Sequence, residues 1–87
     1  MRRSIDDALD DHPADDHERP PVSWAVALSD DCDACGEGEL RVVLTVEESG
    51  RAGYGIVAHL APATARRLRA ALGDALREIG EDPGQDR

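Results

Sequence analysis

Leu40-Arg41-Val42-Val43-Leu44-Thr45-Val46-Glu47 is the stretch on which the fold turns. Successive side chains of an extended chain point to opposite sides. Leu40, Val42, Leu44 and Val46 therefore share one face, and Glu39, Arg41, Val43, Thr45 and Glu47 share the other. Such alternation marks a strand that packs on one side. The run before it behaves alike, with Val22, Trp24, Val26 and Leu28 set against Ser23, Ala25, Ala27 and Ser29. The run after it sets Tyr54, Ile56, Ala58 and Leu60 against Gly55, Val57 and His59. Residues 48–53 between the last two runs are few and glycine-bearing, as a hairpin requires. The 30–38 connection is longer and very acidic.

Outward from the sheet, Pro62 opens a helix at a position where its missing N–H costs nothing. Ala65, Leu68, Leu72, Leu76 and Ile79 recur at spacings of three and four and form an apolar stripe, widened by Ala71 and Ala75. Gly80, Pro83 and Gly84 close the helix. A rod of about 28 Å matches strands of about 26 Å, so the helix is expected to lie across the apolar sheet face. The pattern predicts an α+β domain over residues 22–81: a three-stranded antiparallel meander with one C-terminal helix packed on one face (βββα). Residues 1–21 read as a disordered acidic tail dispensable for folding, with Asp pairs at 6–7, 10–11 and 15–16 and prolines at 13, 20 and 21. Within it, Ser4 and Asp7 offer a capping pair for a short helix able to fold on this domain or a partner. Residues 82–87 read as a disordered C-terminus.

At 87 residues the chain has room for one domain, and a thin stability margin follows from that size. Phe is absent, so the core falls to Val, Leu, Ile and Ala around Trp24 and Tyr54. All ten basic residues are Arg; Lys, Asn and Phe, whose codons are AT-rich, are missing, which points to a GC-rich bacterial genome. The net charge of −9 divides into −4 over residues 1–21, −5 over 22–60 and zero over 61–87. That balance disfavours direct binding to nucleic acid or to an anionic membrane surface. No apolar run is long enough to span a bilayer, and no export signal is evident, so a cytoplasmic location with reduced thiols is expected.

Pro21-Val22-Ser23-Trp24 opening the first strand, the alternating second strand, and Leu60-Ala61-Pro62-Ala63-Thr64-Ala65-Arg66 opening the last helix give a resemblance to the BssS family of small bacterial biofilm regulators. The likeness covers roughly residues 20–81 and is one of architecture. The family usually has a hydroxyl residue where Ala61 stands here. The resemblance implies a regulatory or adaptor role and carries over no catalytic residue.

Cys32-Asp33-Ala34-Cys35 is the most conspicuous local feature. Two thiolates are half of a structural zinc site, and His12 and His17 in the tail bring the count to four. Redox use of the pair is disfavoured, because Asp30, Asp31 and Asp33 should raise a thiol pKa. Asp31, Asp33 and Gly36 fit the first, third and sixth places of a calcium loop, but Cys35 and Val42 occupy the fifth and twelfth, where oxygen ligands belong. His59 reads as a surface residue on the face away from the helix. No nucleophile, base and phosphate-loop combination is evident, so no catalytic residue is assigned.

The expected role is thus a non-enzymatic interaction or regulatory module whose partner is itself or another protein. The open sheet face, with Ala25, Ala27, Val43 and Val57, is the expected self-association surface. Arg66, Arg67 and Arg69, placed where a helix dipole prefers acids, form a second candidate surface for an acidic partner or for the tail. A small zinc protein and an acidic nucleic-acid mimic are the alternatives.

Overall fold

A computed structural model describes residues 1–49, 51 and 53–84. The three alternating runs are strands β2 (Val22–Ser29), β3 (Arg41–Glu48) and β4 (Ile56–Leu60), followed by helix α1 (Pro62–Glu78). Ahead of them lies a further strand, β1 (Arg2–Leu9). All four form one antiparallel sheet in the order β1-β2-β3-β4. The register places Trp24 opposite Val46, Val26 opposite Leu44 and Leu28 opposite Val42, with Ile56, Ala58 and Leu60 completing those rows. Ala27, Val43 and His59 form a row on the other face. Gly50 and Ala52 of the expected hairpin turn lie outside the described residues, as do residues 85–87 of the expected disordered C-terminus.

The three-stranded βββα reading is corrected here: the sheet has four strands, and the first residues are a strand rather than a disordered tail or a short helix. β1 pairs with β2 from Arg2 opposite Ser29 to Leu9 opposite Ser23, with a bulge between Ser4 and Asp6. Asp10 N–H donates to the Val22 carbonyl at 2.7 Å, and the Met1 ammonium sits 2.6 Å from both Asp30 Oδ1 and Asp31 Oδ1. The segment shows no alternation because it buries nothing: every residue of β1 is exposed. Its contribution is backbone pairing, which any side chain permits, along an edge of β2 that has neither Lys nor Pro to protect it. The new outer edge carries Arg2, Arg3, Asp6 and Asp7 and a bulge, all of which oppose further strand addition.

The core is small and lies on the face expected to be open. Val43 is 1% exposed and Ala27 6% exposed, and they are the buried apolar residues among those described. The β2–β3 connection folds back against this face, where Cys35 reaches His59, the row neighbour of Val43. Ala25 is half-buried there and Val57 stays exposed. Alternation shows which side chains share a face, but not which face the loops will cover.

The helix departs from its expected position as well. α1 approaches β3 and β4 but not β1 or β2, and none of its residues is buried. Ala61 alone separates Leu60 from Pro62, in an extended conformation with φ −66° and ψ 159°. Strand-to-helix connections usually use two to six residues to turn back. One residue, followed by the fixed φ of proline, keeps α1 at its end of the sheet. Ala61 supplies no side-chain cap. At the other end, Gly80 (φ 80°) reverses the chain, and Glu81 N–H donates to the Leu76 carbonyl at 2.9 Å.

Two outcomes are expected from this architecture. Deleting residues 1–21 should lower the thermal midpoint by roughly 4–8 °C, equivalent to ~1 kcal/mol, and increase aggregation by uncovering β2; an unchanged midpoint would show that β1 adds nothing. Val43→Ala should cost about 2 kcal/mol in urea unfolding, and Val43→Glu should abolish the fold, since it places a carboxylate where no water reaches.

Candidate metal centre and open apolar surface

The 30–40 connection is built on two successive turns. Gly36 N–H donates to the Asp33 carbonyl and Glu39 N–H to the Gly36 carbonyl, both at 3.2 Å. Gly36 has φ 120°, and a Cβ there would lie 2.9 Å from Glu39 Cγ, so the second turn depends on glycine. The first turn brings Cys32 and Cys35 together, and both are free thiols. Arg41 Nη2 donates to the Cys35 carbonyl at 3.4 Å and ties the turn to the start of β3.

His59 completes the constellation. Its Nδ1 lies 3.4 Å from Cys35 Sγ, and one ligand atom from each of Cys32, Cys35 and His59 falls within 4.8 Å of the others. Antiparallel topology accounts for this meeting. The connection preceding β3 and the last residues of β4 lie at the same end of the sheet, so a side chain near the end of β4 faces a loop that precedes β3. The same topology separates the expected set of four. His12 and His17 lie in the 10–21 connection, at the opposite end of β2, and eight residues of strand span about 26 Å. His12 Nε2 is engaged instead with Asp16 Oδ2 at 2.7 Å.

The two thiols are not equivalent. Cys32 is held below the usual thiol range, first by the Cys35 backbone N–H and then by the Cys35 thiol. Asp33 raises this thiol, as expected of a neighbouring aspartate, but it is outweighed, so the net direction is down: N–H groups pointing at sulfur prevail over an exposed carboxylate. Cys35 is pushed up, chiefly because it donates to Cys32.

A second feature is the apolar surface left without cover. On the Trp24 face, Ile56 is 78% and Val46 41% exposed. Along the α1 stripe, Leu72 is 60% and Ile79 73% exposed, while Leu76 is half-buried. Arg66, Arg67 and Arg69 are exposed on the helix. Arg66, Arg69 and Arg77 line a groove closed by Pro83, which returns to within 3.5 Å of where a Gly73 Cβ would stand. β1 is paired with β2, which α1 does not approach, so β1 lies away from the helix that carries these arginines. Among the described residues no helix is long and apolar enough to cross a membrane. No protein-family model matches the chain, and neither a curated protein nor a solved structure matches it.

Proposed function

We propose that the chain is a non-enzymatic interaction module that acts as a homodimer, with the α1 stripe and the Trp24 face of the sheet as the shared surface. The observation that carries this reading is the surplus of exposed area. The chain exposes 7084 Å², whereas a compact monomer of 9.3 kDa exposes about 5,000 Å². Its radius of gyration is 15.0 Å, against about 12 Å for a compact chain of this length. Two copies carry a combined surplus of roughly 4,000 Å², within the range that an obligate homodimer removes from solvent over both partners. A fold whose buried apolar residues, among those described, are Ala27 and Val43 also lacks the core to be stable alone.

Charge favours a helix-mediated arrangement with a second copy as occupant. Residues 1–60 carry the whole net charge of −9, and residues 61–87 carry none. Two bare sheets would repel each other, whereas α1 of one copy, with Arg66, Arg67 and Arg69, sets its cations against the acidic sheet of the other. A regulatory role of the kind the BssS resemblance implies, exercised in a reducing cytoplasm, fits such a module. The expected result is a dimer in sedimentation velocity at micromolar concentration. Leu72→Glu should abolish the dimer and, because the single copy has so small a core, lower the helical circular dichroism and the thermal midpoint together. A monomeric unmodified chain across that range would refute the reading.

A further inference from the structure

From the meeting of the 30–40 connection with β4, we propose that Cys32, Cys35 and His59 form a binding site for one zinc-class transition-metal ion, with two thiolates and one imidazole as ligands and a fourth position open to solvent. The donor set decides the class of ion. Two sulfurs and a nitrogen suit zinc and exclude the hard cations magnesium and calcium, which require oxygen. No fourth side chain joins the set among the described residues.

Distance supports the assignment. Tetrahedral zinc, with bonds of about 2.3 Å to sulfur and about 2.0 Å to nitrogen, places its sulfur and nitrogen ligands about 3.5 Å apart and two sulfurs about 3.8 Å apart. Cys35 Sγ and His59 Nδ1 are already 3.4 Å apart, and the whole set lies within 4.8 Å. About an ångström of side-chain rotation would close the site, with no movement of the strand that carries His59. The scaffold is held on both sides: the two turns and the Arg41 bond fix the cysteines, and pairing of His59 with Val43 fixes the imidazole's strand. Asp30, Asp31, Asp33, Glu37 and Glu39 surround the connection and raise the local concentration of any cation. Binding replaces the two thiol protons, which pass to solvent, so a dication neutralises two thiolates. The ion would then clip the β2–β3 connection to β4, joining segments 24 residues apart.

The test uses the full chain, reduced and stripped with chelator, titrated with zinc(II) against a chromophoric competitor and with cobalt(II) as a spectroscopic reporter of thiolate ligation. The expected result is one ion per chain, a thiolate-to-cobalt charge-transfer band and a higher thermal midpoint. Cys32→Ser with Cys35→Ser should abolish binding, and His59→Ala should weaken it by at least ~10-fold. His12→Ala with His17→Ala should leave it unchanged. Chemical-shift change of the His59 imidazole on zinc addition to the unmodified chain reports the same ligand without any variant. Absence of zinc uptake by the reduced chain, or a His59→Ala affinity equal to that of the unmodified chain with no shift at His59, would overturn the assignment.

Discussion

The row Ala27–Val43–His59, running across β2, β3 and β4, is the constraint on which the rest of the molecule depends. Its register follows from period-two alternation, because a slip of one residue would turn Trp24, Val26, Leu44 and Val46 onto the opposite face. With the register fixed, the small residues Ala27 and Val43 form the buried centre, and His59 emerges at the end of the row beside the cysteine-bearing connection. The core and the constellation are therefore consequences of one pairing scheme. A substitution in this row acts on both.

The sequence made β2, β3 and β4 legible because each buries one side of a pleated chain and must alternate to do so. α1 was legible because Leu68, Leu72, Leu76 and Ile79 keep a helical spacing. β1 was not, since a strand that adds only backbone hydrogen bonds leaves no mark on its side chains, and its Asp-rich composition resembles that of an unfolded segment. The position of α1 was equally hidden. Matched lengths of rod and sheet permit coverage, but the single residue Ala61 sets the direction of departure. For the constellation, the Cys32/Cys35 pair was visible from spacing alone. The third member required the rule that a loop before one strand of a hairpin faces the end of the other, which singles out His59 over His12 and His17.

Charge is distributed to match this layout. The acids concentrate on the sheet and its connections, and the helix half is neutral with its arginines near the N-terminus, a placement that costs helix stability through the dipole. An uncapped, dipole-opposed helix with an exposed apolar stripe is weak as an isolated element. It gains stability by resting against β3 and β4.

The order β1-β2-β3-β4, in which every strand pairs with its neighbour in sequence, has a kinetic consequence. Speed of folding is governed largely by how far apart in sequence the contacting residues lie, since the entropy of closing a loop is lost before the contact forms. A meander whose connections are each about a dozen residues or fewer needs no distant segment to arrive before its first ladder closes. For a chain with so small a core, that short search limits the time in which Trp24, Val26 and Leu44 are exposed on an unpaired strand.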